Sequence, residues 1–317
     1  MMVWALAGLG LVILLLAGDA LVKGAVNLSL RVGIPALIVS LTIVAFGTSA
    51  PELLISVNAV LMDKPGLALG NVIGSNTANV LLVLGLPAII SVLHTSGCET
   101  RKTYVFMLIA SVLFIGLAFL GTFTFWSGLL LLAALAYMLF DAARDAKRHR
   151  RAVAAAGPVE EEVEGADPDM PWWRIIVFLV LGLVGLPLGA DLLVDNASII
   201  ARQYGVTDAV IGLTLVALGT SLPELATTVM AALRRQADVA LGNVIGSNMF
   251  NLLAIIGITA LVGPIPVDPE FLTFDLWVML AASLILIPFV FFKIDIGRVW
   301  GVLLTGAYLA YVTFVLS

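Results

Sequence analysis

Ala68-Leu69-Gly70-Asn71-Val72-Ile73-Gly74-Ser75-Asn76 recurs unchanged as Ala240-Leu241-Gly242-Asn243-Val244-Ile245-Gly246-Ser247-Asn248. The offset is 172 residues, and it also carries Gly47-Thr48-Ser49-Ala50-Pro51-Glu52 onto Gly219-Thr220-Ser221-Leu222-Pro223-Glu224. Asp19 falls on Asp191, Gly33 on Gly205, Thr42 on Thr214, Asn79 on Asn251 and Gly85 on Gly257. An apolar chain resembles itself at many offsets through its aliphatic residues. Here the matches are mainly polar residues and glycines, which composition alone does not align. The chain is an internal duplication, and one unit used twice decides its architecture.

The solvent for that unit is lipid. Hydrophobic residues make up 61% of the 317 and charged residues 12%, against about 45–50% and about 25% in a soluble domain. Mean hydropathy is +1.12. A bilayer core about 30 Å thick takes about 20 apolar residues per helix. That ruler predicts spans near 2–22, 35–62, 66–92, 103–121 and 123–143, then 173–200, 207–233, 239–262, 272–292 and 298–316. The second, third, sixth, seventh and eighth are overlong or interrupted by Gly and Pro, which predicts tilt or breakage. The first has no Lys or Arg ahead of its apolar run, so it reads as a mature helix and not a signal peptide.

Each half, 1–143 and 172–317, holds five spans. An odd number turns the second half over in the membrane. The expected fold is therefore an all-α polytopic membrane protein, with ten transmembrane helices as two inverted five-helix repeats joined by a linker at 144–171.

Orientation follows from the basic residues. Connections after odd-numbered spans hold 14 of the 16 Lys and Arg, and the other side holds Lys64 and Arg202. The positive-inside rule predicts a cytoplasmic linker and both termini outside. The linker is basic from Arg144 to Arg151 and acidic from Glu160 to Asp169. It lacks EF-hand spacing and is too short to fold as a regulatory calcium-binding domain. The net charge of −5 offers nothing to nucleic acid, and the single cysteine, Cys98, excludes an intrachain disulfide and a Cys-based zinc site. His94 and His149 read as isolated loop residues.

Glu52 and Glu224 lie well inside spans, where a carboxylate costs at least about 2.5–3.5 kcal/mol. No Lys or Arg lies at comparable depth, so the pair points to a cation from solution or to protons. Pro51 and Pro223 lack N–H groups, which frees the carbonyls of Gly47 and Gly219, and the neighbouring Ser and Thr add hydroxyls. Oxygen-only ligation of this kind suits Ca²⁺ and Na⁺, not Zn²⁺ or copper. In the second motif Gly70 and Gly74, like Gly242 and Gly246, form a small-xxx-small packing face. Ser75 and Asn79, and likewise Ser247 and Asn251, share a helical face and can turn oxygens towards the glutamates. Asn71 and Asn243, one turn further, are expected to brace the broken helices. Asp19 and Asp191 are read as capping or interfacial groups near helix ends, with a gate or ion-entry role as the alternative.

These motifs, GTSAPE (47–52) with GNVIGSNTAN (70–79) and GTSLPE (219–224) with GNVIGSNMFN (242–251), resemble those of the cation/calcium exchanger superfamily, and most closely its prokaryotic sodium/calcium exchangers. The proton/calcium branch is less similar, having Gly-Asn-x-x-Glu in place of Gly-Thr-Ser-x-Pro-Glu. The resemblance implies metal ligands at Ala45, Thr48, Ser49, Glu52, Ser75, Asn79, Ala217, Thr220, Ser221, Glu224, Ser247 and Asn251. It implies a core of spans two, three, seven and eight, with one and six sliding across it. Some members have Asp where this chain has Asn251, so potassium coupling is not expected.

The expected activity is Na⁺/Ca²⁺ antiport by alternating access, electrogenic with a third Na⁺, in a prokaryotic inner or plasma membrane. Transported Ca²⁺ and Na⁺ are the ionic partners, and no prosthetic group is expected. An H⁺/Ca²⁺ antiporter using the same glutamates is the alternative, and a cation channel a more distant one. An enzyme is not expected, since no His, Cys or Ser–Lys pair accompanies the glutamates.

Overall fold

The computed structural model describes residues 2–156, 167, 169–205 and 217–316. It is almost wholly helical: α1 (Met2–Val32), α2 (Ala36–Thr48), α3 (Ala50–Leu61), α4 (Pro65–Ile90), α5 (Arg101–Ala118) and α6 (Phe125–Ala156). These are followed by α7 (Trp172–Gln203), α8 (Ala217–Thr220), α9 (Leu222–Leu233), α10 (Ala237–Val262), α11 (Phe271–Phe291) and α12 (Arg298–Leu316). Among the described residues eight are long and apolar enough to cross a membrane, and α2 with α3 passes the same test as a bent pair. The predicted seventh span is described only from Ala217, because 206–216 lie outside the described residues.

The break between α2 and α3 is 43° and falls at Ser49. Its cause is local. Pro51 stands at the start of α3 and cannot donate to the carbonyl four residues back. The same break recurs at Ser221, ahead of Pro223. Other predicted irregularities are π turns, at Ser40–Val44 in α2, Asn79–Val83 in α4 and Phe250–Ile255 in α10. The sixth span is overlong and unbroken: α7 continues through Pro187 as one helix. The basic stretch after the fifth span is also helical, as α6 runs to Ala156.

Duplication is visible in the backbone. Left-handed φ values occur at Gly33 and Gly205 (71° and 81°), Asp63 and Arg235 (57° and 54°), and Gly121 and Lys293 (84° and 54°). Each pair is separated by the sequence offset of 172 residues. The first helices of the two halves, α1 and α7, pack on each other antiparallel. Gly10 meets the backbone of Gly189 and Leu193, Ala17 meets Gly185, and Leu21 meets Gly182. Small residues allow that approach. A short pairing of β1 (Thr122–Phe123) with β2 (Ile265–Pro266) and a bridge from Leu93 to Ile296 tie the loops of one half to those of the other.

Burial sorts the helices into two classes. The apolar windows of α4 and α10 are 78% and 89% buried, whereas those of α1 and α7 are 33% and 28% buried. The two copies of the nine-residue repeat therefore occupy the centre, and α1 with α7 lies at the periphery.

Candidate functional site

The breaks at Ser49 and Ser221 change the surroundings of both glutamates. Each stands in the first turn of a new helix, Glu52 in α3 and Glu224 in α9. The positive end of a helix dipole favours a carboxylate there, so the break lowers the cost of carrying the charge as well as supplying oxygens. Both side chains are 0% exposed, and neither forms an ion pair with any described Lys, Arg or His.

Residues of the two halves interleave around them. Ser49 donates to Glu224 Oε1 at 3.2 Å and Ser247 donates to the same oxygen at 3.5 Å. Thr48 Oγ1 lies 3.4 Å from Ser247 Oγ and donates to Asn243 Oδ1 at 3.3 Å. Ser221 donates to Ser75 Oγ at 3.4 Å, which also accepts from Asn251 Nδ2 at 3.1 Å. The Ala45 carbonyl accepts from Ser49 N (3.1 Å) and Thr48 Oγ1 (3.3 Å). Thr220 is half-buried and Ala217 opens α8.

The bracing expected of Asn71 and Asn243 is present and symmetric. Asn71 Nδ2 donates to the Glu52 carbonyl at 3.3 Å and to Ser56 Oγ at 3.1 Å. Asn243 Nδ2 donates to the Glu224 carbonyl at 3.3 Å and to Thr228 Oγ1 at 3.1 Å. Each bond ties the central helix to the helix that carries the carboxylate.

Asn76 and Asn248 were not among the sequence candidates. Asn79 Nδ2 donates to Asn248 Oδ1 at 3.1 Å, and Asn251 Nδ2 donates to Asn76 Oδ1 at 3.4 Å. Their signal was available, since both lie in the identical nine-residue stretch, but helical phase sets them aside from Ser75 and Asn79.

Five buried oxygens are left without a donor among the described residues: Glu52 Oε1 and Oε2, Glu224 Oε2, Asn79 Oδ1 and Asn251 Oδ1. Buried polar atoms ordinarily find partners. Only two other buried side-chain polar atoms, both threonine hydroxyls, share this state. Every one of the five is an acceptor, so a bound cation would satisfy them and a water-excluded hydrogen-bond network does not. No cluster of three or more His, Cys, Asp or Glu occurs among the described residues. The donor set is therefore two carboxylates with neutral oxygens, suited to a hard cation. A cavity of about 560 Å³ lined by Cys98, Glu99, Arg101, Lys102 and Lys293 lies apart from these residues.

The capping expected of Asp19 and Asp191 is not observed. Asp19 lies in the interior of α1, which continues to Val32, and it binds Arg234 Nε and Nη2 at 2.5 Å and Lys23 Nζ at 2.9 Å. Asp191 lies in the interior of α7 and is exposed. Neither caps a helix end.

Known proteins agree with this architecture. The chain is 35% identical over 338 residues to the sodium/calcium exchanger MaX1 of Methanosarcina acetivorans, covering 96% of this chain and 95% of MaX1. It is 35% identical over 313 residues to the inner membrane protein YrbG of Escherichia coli, covering 97% and 94%. A solved structure of the sodium-calcium exchanger NCX_Mj superposes with a TM-score of 0.80 at 31% identity, covering 99% of this chain and 98% of that one. The sodium/calcium exchanger protein family matches residues 2–141 and 174–317. Those two blocks are the two halves of the duplication, and this multi-pass membrane protein belongs to the sodium/calcium exchanger family.

Proposed function

We propose that the protein exchanges Na⁺ for Ca²⁺ across the membrane by alternating access, at one site shared between its halves. The observation that carries this reading is the set of five buried, donor-free oxygens, three of them carboxylate oxygens, with no protein cation paired to them. Ca²⁺ takes six to eight oxygens at flexible geometry. Glu52 and Glu224 supply the charge, and Thr48, Ser49, Ser75, Asn79, Thr220, Ser221, Ser247, Asn251 and the carbonyls of Ala45 and Ala217 supply neutral oxygens. Na⁺ ions spread over the same oxygens displace Ca²⁺. Mutually exclusive occupancy couples the fluxes, because a charge-compensated site crosses an apolar interior more cheaply than a bare pair of carboxylates.

The ten-helix, inverted arrangement is part of this reading. It is supported by the antiparallel packing of α1 on α7 and by hydrogen bonds that repeat at the sequence offset. The positive-inside rule puts the linker in the cytoplasm and both termini outside. With two site carboxylates, two Na⁺ balance the charge; a third, as the family resemblance implies, makes exchange electrogenic.

The test is calcium uptake into proteoliposomes driven by an outward sodium gradient, with the proton gradient collapsed. Saturable, sodium-dependent uptake that moves net charge is expected. Uptake indifferent to sodium and driven by a pH gradient would overturn the reading, as would ohmic single-channel current.

A further inference from the structure

Two methionines stand behind the site at positions related by the repeat, Met107 in α5 and Met279 in α11. Both are buried, at 0% and 1% exposure. Asn248 Nδ2 donates to Met107 Sδ and Asn76 Nδ2 donates to Met279 Sδ, each at 3.8 Å. Each asparagine accepts through its other end: Asn248 Oδ1 from Asn79 Nδ2, and Asn76 Oδ1 from Asn251 Nδ2. The relays finish at Asn79 Oδ1 and Asn251 Oδ1, two of the donor-free buried oxygens.

We infer that Met107 and Met279 are positioning residues that set the polarity of the two amide relays, so that the site receives two amide oxygens and not two amide nitrogens. An amide is nearly symmetric in shape, and turning it over exchanges a double donor for an acceptor. A thioether is an acceptor only, and a weak one. Placed against Asn76 or Asn248, it accepts the NH₂ and turns the oxygen towards the next asparagine. That oxygen in turn takes the NH₂ of Asn251 or Asn79 and leaves its oxygen for the ion. A flipped relay would direct NH₂ donors at a cation already held by Glu52 and Glu224. Asn248 has a second acceptor in the Asn76 carbonyl at 3.4 Å, whereas for Asn76 the only acceptor formed among the described residues is Met279. The relay through Met279 is therefore the more dependent on its sulfur.

This inference rests on the proposed ion site, and its test separates the two. The full chain is purified in detergent and titrated calorimetrically with calcium in choline chloride, as wild type, Met279→Leu, Met107→Leu and both together. Leucine keeps the volume and removes the acceptor. Met138→Leu, at a buried position in α6, controls for loss of a core thioether. Expected is a loss of about three- to tenfold in calcium affinity for Met279→Leu, a smaller loss for Met107→Leu and none for Met138→Leu. In an Asn76→Ala background Met279→Leu should cost nothing more, because the relay is already cut. Wild-type affinity in the Met107/Met279 double variant would overturn the inference while leaving the ion site standing, and so would an undiminished Met279→Leu loss in the Asn76→Ala background. Absence of calcium binding by the wild-type chain would instead remove the proposed function.

Discussion

The hydroxyl of Ser49, at the helix break in the first half, donates to Glu224 Oε1 in the second half at 3.2 Å. The break that precedes Glu52 is thus bonded to the other carboxylate, and the two repeats interleave there. A hydrogen bond to a charged group contributes about 1.5–3 kcal/mol. Ser49→Ala removes that donor and one oxygen of the proposed site, so calcium affinity is expected to fall by about tenfold or more. Calorimetric titration of the purified variant reads this directly, and wild-type affinity would exclude Ser49 from the site.

In the proposed site the two carboxylates balance the ion's charge, so binding and stability should be linked through them. A ligand at 100 times its dissociation constant stabilises the folded chain by about 2.7 kcal/mol. Calcium should therefore raise the thermal midpoint of the wild type in detergent. Glu52→Gln with Glu224→Gln should abolish that rise while preserving the fold, because glutamine keeps the side chain's shape in the first turns of α3 and α9. A calcium-dependent rise that survives in the double variant would place the ion elsewhere.

The sequence made much of this legible because the chain carries its own comparison. Pro51 and Pro223 marked the helix breaks, and helical phase marked Asn71 and Asn243 as braces. Both are local consequences, read within one helix or between neighbours 19 residues apart. The amide relays were not legible: Asn79 and Asn248 lie 169 residues apart, and Asn76 and Met279 lie 203 apart. Periodicity within a single helix carries no information about such pairings. The capping expected of Asp19 fails for a related reason. The bilayer ruler ended the first span near residue 22, whereas α1 continues to Val32 and carries Asp19 to Arg234.

The central helix α10 meets α2 at backbone distance, whereas the matching glycines of α4, Gly70 and Gly74, make no approach closer than 3.8 Å among the described residues. A Cβ on Gly246 would stand 2.5 Å from the Leu41 carbonyl oxygen and 2.6 Å from Ala45 Cβ. One on Gly242 would stand 2.9 Å from the Leu37 carbonyl oxygen. Backbone cannot yield there without moving α2, which leads directly into the break at Ser49. Gly246→Ala is expected to destabilise the protein by about 1–3 kcal/mol, and to impair calcium uptake in the fraction that folds. Thermal unfolding and vesicle uptake check the two effects separately.

The Asp19–Arg234 pair joins the peripheral helix α1 to the C-terminal end of α9, the helix that begins beside Glu224. Gly18 reinforces the joint, since a Cβ there would stand 2.9 Å from the Ala226 carbonyl oxygen. The side chains of Asp19 and Arg234 are 19% and 22% exposed, so their attraction is only partly screened. Asp19→Asn should cost about 1–3 kcal/mol, between the ranges for exposed and buried pairs. The second half offers a built-in contrast: at the repeat offset Lys23 becomes Asp195 and Arg234 corresponds to Met62. Asp191 is exposed, so Asp191→Asn should stay within about 0.5 kcal/mol of wild type. Equal effects of the two substitutions in thermal unfolding would mean that the ion pair contributes no more than an exposed charge. An asymmetric result would establish that the two copies of the repeat are secured by charge on one side only.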